Sequence, residues 1–198
     1  MPDEAPTGGP RITGHVFIAA SVDGFIARRD GDLAWLDTYS GPIEDHGYDA
    51  FMASMDGLVM GRGTFEKVLT FGAWPFAKPV VVMSRTLGND RLPPDLAGPY
   101  PGGSHPTSAK VRISALPPRE TMAGLAAEGW RRAYVDGGLL IQSFLRAGLI
   151  ADMIVTRIPV LLGDGIPLFG PLAADVPLRH LATTAFPSGL VQSTYRVG

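Results

Sequence analysis

The chain has 198 residues, of which 45% are hydrophobic and 18% are charged, and its formal net charge at pH 7 is −2. This composition is that of an ordinary globular protein of one domain. The basic residues form no run longer than two, which excludes the electrostatic footprint of a nucleic-acid-binding protein. Since cysteine is absent, disulfides, thiolate metal sites and a cysteine nucleophile are excluded as well.

The first residues carry acids and prolines where a signal peptide would have a basic stretch followed by an apolar one. No apolar run approaches the roughly twenty residues that a membrane helix requires. We therefore expect residues 1–12 to be a flexible tail, residues 13–198 to form a single domain, and the protein to be cytoplasmic.

Short apolar segments alternate with amphipathic ones along the chain. Strands are predicted over residues 15–20, 57–60, 79–83, 111–113, 132–135 and 153–158. Helices are predicted over residues 48–55, 64–69, 120–128 and 139–146, the last of which ends at Gly148. Strands without polar alternation are typical of a parallel sheet that helices cover on both faces.

The remaining segments complete the predicted fold. Residues 88–106 are rich in proline and glycine and predict an irregular surface loop. Residues 178–184 and 190–196 predict an antiparallel pair that closes the edge of the sheet. The sequence thus predicts an α/β domain with a mostly parallel sheet, in which ligands bind at the carboxyl ends of the strands.

The first candidate site is the segment Met60-Gly61-Arg62-Gly63-Thr64, where an apolar strand ends and a helix begins. A helix N-terminus offers unpaired N–H groups and a partial positive charge to a phosphate, and Arg62 adds a planar donor fork. Thr64 is the predicted N-cap of the helix. An ordinary turn with a solvated arginine is the alternative.

Ser84 and Arg85 form the second candidate site, directly after the apolar run 79–83. A hydroxyl and a guanidinium at the end of a strand suit the extra ribose phosphate that distinguishes NADPH from NADH. A solvent-facing turn is the alternative.

Val135-Asp136-Gly137-Gly138-Leu139 is the third candidate site and again joins a strand to a helix. Paired glycines let the backbone approach a pyrophosphate closely. The pattern is not the GxGxxG fingerprint of a Rossmann domain, and simple turn chemistry is the alternative.

These three motifs lie between Ser21-Val22-Asp23-Gly24-Phe25-Ile26-Ala27 and Pro159-Val160-Leu161-Leu162-Gly163-Asp164-Gly165. In this order and spacing they resemble the dihydrofolate-reductase-like reductases, and more closely a stand-alone member of the RibD C-terminal family, the riboflavin-biosynthesis reductase domain. The resemblance covers residues 13–197. It implies a three-layer α/β/α fold, a homodimer, and hydride transfer from NADPH to a pterin or a ribosylaminopyrimidine.

The resemblance also assigns roles to residues. Ala19 or Ala20 and Ile26 would line the nicotinamide pocket. Phosphates of the cofactor would be held by Gly61, Arg62, Thr64, Ser84 and Arg85, and the pyrophosphate by Gly137, Gly138 and the adjoining Leu139. Thr156 is similar to the threonine that supports the catalytic acid in dihydrofolate reductases, and Trp35 lies where the substrate loop is expected.

The catalytic acid is expected near the start of the helix that precedes Gly61. Counting back along the resemblance indicates Asp45, while Glu44 and Asp49 compete with it and Asp49 is also a candidate substrate ligand. A carboxylate there could bind the substrate ring and deliver a proton beside the hydride-accepting carbon. The alternative is that all three decorate a solvated helix start, where acidic residues are favoured.

Two segments depart from the riboflavin reductases. They are Trp35-Leu36-Asp37, and Phe71-Gly72-Ala73-Trp74-Pro75 where those enzymes bind the ribose phosphate.

The most specific expectation for the function is a 5-amino-6-(5-phosphoribosylamino)uracil reductase. A nucleotide-binding regulatory protein without turnover and a dihydrofolate reductase are the alternatives. The four histidines have no metal-ligand spacing, so no metal is expected.

Overall fold

The computed structural model describes residues 12–39, 45–97 and 110–198. The strands there are β1 (Thr13–Ser21), β2 (Phe25–Ala27), β3 (Gly57–Gly61), β4 (Val80–Met83), β5 (Val111–Ser114), β6 (Arg132–Asp136), β7 (Ile150–Ile158), β8 (Ile166–Pro167), β9 (Leu178–Ala185) and β10 (Val191–Val197). The α-helices are α1 (Ala34–Asp37), α2 (Tyr48–Ala53), α3 (Arg62–Leu69), α4 (Pro118–Ala127) and α5 (Gly138–Arg146), and a 3₁₀ turn covers Asn89–Arg91. No helix in these three ranges is long and apolar enough to cross a membrane.

Eight strands form one sheet in the order β5-β4-β3-β6-β1-β7-β10-β9. The six strands from β5 to β7 are parallel to their neighbours, whereas β10 is antiparallel to both β7 and β9. The predicted α/β domain, with its mostly parallel sheet and its C-terminal antiparallel pair, is confirmed.

Helices cover both faces of this sheet. Side chains alternate along β6, so Val135 points to one face and packs in a core cluster with Phe144 of α5. Tyr134 points to the other face and packs in a second cluster with Phe51 of α2 and Phe65 of α3. This arrangement brings the carboxyl ends of β1, β3 and β6 side by side.

The prediction that Thr64 is the N-cap of α3 is wrong. The helix begins at Arg62, and Gly61, with an extended backbone (φ −78°, ψ 162°), takes the N-cap position without a side-chain cap. The end of β3 therefore sets the start of α3, because the strand passes into the helix without an intervening loop. Thr64 lies within the first turn.

Three short elements were not expected from the sequence: β2, β8 and α1. Strands β2 and β8 form a separate two-stranded sheet, in which Phe25 is opposite Pro167. A two- or three-residue strand is too short for periodicity to reveal, and its partner lies far along the chain. The predicted loop over residues 88–106 contains the 3₁₀ turn, and its residues beyond 97 lie outside the described ranges.

Gly57, the first residue of β3, lies where the sheet packs closely against the loop that follows α4. A Cβ there would collide with the ring of Trp130 and lie 2.6 Å from the carbonyl oxygen of Pro79. That carbonyl accepts the N–H of Leu58 at 2.9 Å, so it cannot move without loss of a hydrogen bond between strands. We expect Gly57→Ala to lower the free energy of unfolding by about 1–3 kcal/mol in urea denaturation.

Gly124→Ala is the matched control. Gly124 lies within α4, and nothing lies within 4 Å of a Cβ at this position. Because glycine in a helix interior is less favourable than alanine by roughly 0.5–1 kcal/mol, this variant should be more stable than the wild type. Equal destabilisation of the two variants would contradict the packing argument.

Candidate functional site

A cleft of about 410 Å³ opens at the carboxyl ends of β1, β3 and β6. It is also lined by α3, the start of α5, the short strands β2 and β8, and residues 31–36. Most of the lining side chains are apolar. The cleft therefore lies where α/β sheets bind ligands, and its lining offers mainly apolar contacts to a ligand.

Two helices begin at this cleft. Helix α3 starts after Gly61 and α5 starts after Gly137, and at neither N-cap does a side chain accept a hydrogen bond from the first turn. The first N–H groups of a helix and its dipole attract negative charge. Two such helix starts at one cleft suit a ligand with more than one phosphate.

Glycine is required where the two helix starts meet. Gly137 has φ of 98°, in the left-handed region, and a Cβ there would overlap the hydroxyl of Thr64. A Cβ on Gly138 would lie 2.7 Å from the carbonyl oxygen of Pro167. The structure thus brings four predicted residues together in the cleft lining: Gly61, Thr64, Gly137 and Gly138.

Of the three residues predicted for the nicotinamide pocket, two line the cleft and one does not. Ala19 and Ile26 line the cleft, and so does the exposed Leu139 at the start of α5. Ala20 is buried in the core cluster on the opposite face, because successive side chains of a strand alternate. Of the two alanines, Ala19 is the one that a ligand can reach.

Arg62, Ser84 and Arg85 lie outside the cleft lining, at the adjacent ends of β3 and β4. A guanidinium nitrogen of Arg62 donates to the hydroxyl of Thr86 at 3.0 Å, and its Nε lies 3.5 Å from the carboxylate of Glu66. The side chain of Arg85 is exposed. The structure therefore joins the first and second candidate sites into one basic, hydroxyl-bearing surface.

The sequence interpretation missed Asp136, the last residue of β6, which lines the cleft. Burial raises the pKa of its carboxyl group to about 6, although the neighbouring Gly137 N–H and Tyr134 hydroxyl favour the charged form. Near neutral pH a part of this carboxyl stays protonated and can donate a hydrogen bond. The sequence feature that could have identified Asp136 is a carboxylate that stands between a buried strand and paired glycines.

Two tyrosines lie beside Asp136. Tyr134, two residues earlier on the same face, is buried and donates to the carbonyl oxygen of Phe17 at 2.8 Å. Burial raises the pKa of Tyr134 well above its usual value, and burial together with the charge of Asp136 raises that of Tyr48 to about 12. Both phenols thus remain neutral at physiological pH and can act as hydrogen-bond donors.

The carboxylates predicted near the start of α2 do not line the cleft. Asp45 is exposed, and its carboxylate accepts the N–H of Gly47 at 2.7 Å. Asp49 is exposed in the first turn of α2. Glu44 lies outside the described residues. In the ranges that the structure describes, no three histidine, aspartate or glutamate side chains gather to hold a metal ion.

Thr156 is buried on β7, opposite Ala19 in the strand register. Its hydroxyl accepts a hydrogen bond of 3.0 Å from the side-chain amide of Gln192 on β10. The same amide nitrogen donates to the carbonyl oxygen of His46 at 3.1 Å. Gln192, which the sequence interpretation did not single out, therefore connects Thr156 to the residue that follows Asp45.

Trp35 lies in the core and not in the cleft lining. Its side chain is 6% exposed and packs with Ile158 and Leu190 in a third core cluster. The neighbouring Leu36 lines the cleft. Successive residues of a helix point about 100° apart, which lets Leu36 face the cleft while Trp35 faces the core.

Asp136→Asn tests the raised pKa of this carboxyl. Since the folded-state pKa, about 6, exceeds the ordinary 3.8, the stabilisation is fully present below pH 3.8 and is lost as the pH rises through 6. Between about pH 4.5 and 7.5, the wild type should lose about 2 kcal/mol more unfolding free energy than Asp136→Asn. Urea denaturation at a series of pH values measures this difference.

Asp175→Asn is the control for loss of one acidic group, because Asp175 is exposed in the segment before β9. Its stability should follow the pH dependence of the wild type. Parallel curves for the wild type and Asp136→Asn would show that Asp136 titrates normally.

Comparison with known proteins agrees with this geometry. The family model of the RibD C-terminal domain matches residues 13–192. The uncharacterized protein YwjB of Bacillus subtilis is 34% identical over 175 residues, which cover 86% of this chain and 90% of YwjB. A crystal structure from Shewanella sp. PV-4, provisionally named as a riboflavin biosynthesis protein, is 38% identical with a TM-score of 0.80, covering 94% of this chain and 99% of that one.

More distant structures share the fold. The riboflavin biosynthesis reductase Rib7 of Saccharomyces cerevisiae is 15% identical with a TM-score of 0.60, and the alignment covers 98% of this chain and 93% of Rib7. A dihydrofolate reductase from Enterococcus faecalis, complexed with NADP(H), is 17% identical with a TM-score of 0.54 and coverages of 94% and 96%. The chain belongs to the RibD C-terminal domain family and has the fold of the riboflavin-biosynthesis and dihydrofolate reductases.

Proposed function

We propose that the protein is an NADPH-dependent reductase of a pyrimidine or pteridine-like heterocycle, with 5-amino-6-(5-phosphoribosylamino)uracil as its most specific candidate substrate. One observation carries the proposal: two helix starts without side-chain caps and a carboxyl group of raised pKa line the same apolar cleft. The helix starts suit phosphates, and the carboxyl group suits proton transfer.

The glycines fit the cofactor. Because Gly137 carries no Cβ, the start of α5 packs directly against Thr64 in the first turn of α3, and the N–H groups of both helix starts are available together to a pyrophosphate. Ala19, Ile26 and Leu139 supply apolar surface in the same cleft for a nicotinamide ring. When bound, NADPH supplies the hydride, and the protein supplies binding, orientation and electrostatics.

The surface formed by Arg62, Ser84 and Arg85 is our candidate site for the ribose 2′-phosphate. A guanidinium presents a planar donor fork that matches phosphate geometry, and Arg62 already donates to a hydroxyl of the turn that contains Ser84 and Arg85. NADH lacks this phosphate, so the same residues would determine the preference for NADPH.

Asp136 is our candidate for the acid, in place of Asp45 and Asp49. It lines the cleft, whereas the other two carboxylates are exposed outside it. A protonated carboxyl can donate a hydrogen bond to a ring nitrogen or carbonyl oxygen of a heterocycle and can release its proton to a nitrogen as hydride reaches the adjacent carbon. We propose that Thr156, through Gln192, holds the segment at residues 45–46, which leads into α2 and the cleft residue Tyr48.

NADPH affinity tests the cofactor site. We expect titration by quenching of tryptophan fluorescence to give binding of NADPH at least about tenfold tighter than binding of NADH, because a charge-assisted hydrogen bond contributes roughly 1.5–3 kcal/mol. Arg62→Ala and Arg85→Ala should each reduce this preference. Arg146→Ala, an exposed change at the last residue of α5 and therefore at the end of that helix away from the cleft, should not. Failure of both nucleotides to bind would overturn the reductase proposal.

Turnover tests the acid. In Asp136→Asn, kcat should fall by about a hundredfold, within the usual range for loss of a general acid, while NADPH binds at least as tightly as to the wild type. Loss of NADPH absorbance with 5-amino-6-(5-phosphoribosylamino)uracil and with dihydrofolate measures the rate, and Asp175→Asn serves as the control. Full activity of Asp136→Asn would remove Asp136 from the mechanism, and tight NADPH binding without turnover would favour the regulatory alternative.

A further inference from the structure

The cleft contains one basic side chain that the cofactor assignment does not use. Among the described residues that line it, Asp136 and Lys67 alone carry formal charge, and they are of opposite sign. Lys67 lies on α3, and its side chain is half-buried. The other residues of α3 and its C-terminal flank that line the cleft are Gly63, Thr64, Val68 and Phe71.

Helical geometry keeps Lys67 apart from the other charges of α3. Residues three and four positions apart share one face of a helix, so Lys67 shares the cleft face with Gly63 and Thr64. Arg62 and Glu66, four residues apart, instead pair with each other at 3.5 Å. Within the part of the chain that the structure describes, the Lys67 ammonium has no carboxylate within 4.0 Å and makes no hydrogen bond.

An ammonium group in these surroundings is poorly compensated. Leu33, Leu36, Phe71 and Phe76 also line the cleft and offer no acceptor from their side chains. Partial removal from water is costly for a charge, and a negatively charged partner offsets that cost. A ligand that brings an anionic group into the cleft would be such a partner.

The anion that fits best belongs to the substrate. The sites proposed for cofactor phosphates are at the helix starts and at the ends of β3 and β4, whereas Lys67 lies three residues beyond Thr64, about 4.5 Å further along the axis of α3. Building on the proposed function, we propose that Lys67 is the specificity-determining residue for a substrate that carries a phosphate or carboxylate on its heterocycle. The aromatic rings of Phe71 and Phe76 provide apolar surface beside this group.

Paired ligands that differ by one anionic group test this proposal without the cofactor. Isothermal titration calorimetry compares uridine 5′-monophosphate with uridine for the phosphate, and pterin-6-carboxylate with pterin for the carboxylate. In at least one pair, the wild type should bind the anionic member about tenfold to a hundredfold more tightly, as expected for hydrogen bonds to a charged group. The pair that shows the larger ratio identifies the anion.

Substitutions assign the preference to Lys67. Lys67→Met, which keeps an unbranched apolar stem, should reduce the ratio to about one, and Lys67→Arg should retain most of it. Arg119→Gln, which removes one positive charge from an exposed position on α4, should keep the wild-type ratio. Circular dichroism melting of each variant establishes that it folds.

Three results would overturn the proposal. They are an unchanged ratio in Lys67→Met, failure of both anionic ligands to bind the wild type, and a loss of NADPH affinity in Lys67→Met without a change in the ratio. The last result would make Lys67 a cofactor residue. If the protein bound no NADPH but its preference for the anionic ligand still depended on Lys67, the anion site would stand and the reductase proposal would be wrong. Failure of the Lys67 proposal can therefore be told apart from failure of the reductase proposal.

Discussion

The close approach of the start of α3 to the start of α5 is the constraint on which the site depends. Strands β3 and β6 are parallel neighbours with Met60 opposite Asp136, so the residues that follow these strands emerge side by side. The hydroxyl of Thr64 occupies space that a side chain at Gly137 would need. Without a side chain at that position, two helix dipoles can point at one cleft, and neighbouring anionic groups of one ligand can bind there together.

The same arrangement determines the electrostatics of the cleft. Asp136 immediately precedes α5, where the helix dipole favours a negative charge, yet burial raises its pKa to about 6. An anion bound at the helix starts would disfavour the charged carboxylate further, because like charges repel. Binding of the cofactor phosphates would therefore favour protonation of Asp136, and the protonated group would be available to the substrate.

Local patterns in the sequence were sufficient for the main elements but not for the direction of individual side chains. The apolar strands β3 and β4 follow directly from runs without polar residues. Whether Ala19 or Ala20 faces the cleft depends on which helices cover each face of the sheet, and the burial of Trp35 depends on contacts with β7 and the β9–β10 loop. Such contacts join segments far apart in the chain, so spacing alone does not reveal them.

Asp136 also bears on whether the protein has turnover. Glycines and helix starts are sufficient to bind a nucleotide, and a protein that only bound one would need no carboxyl group in an apolar cleft. A carboxyl whose pKa burial raises to about 6 makes the folded state less stable at neutral pH, by roughly 1.4 kcal/mol for each pKa unit. Polar groups that reduce stability are concentrated at functional sites, where their chemistry offsets that cost. The position of this group among the ligand-binding elements therefore favours an enzyme over a nucleotide-binding regulator.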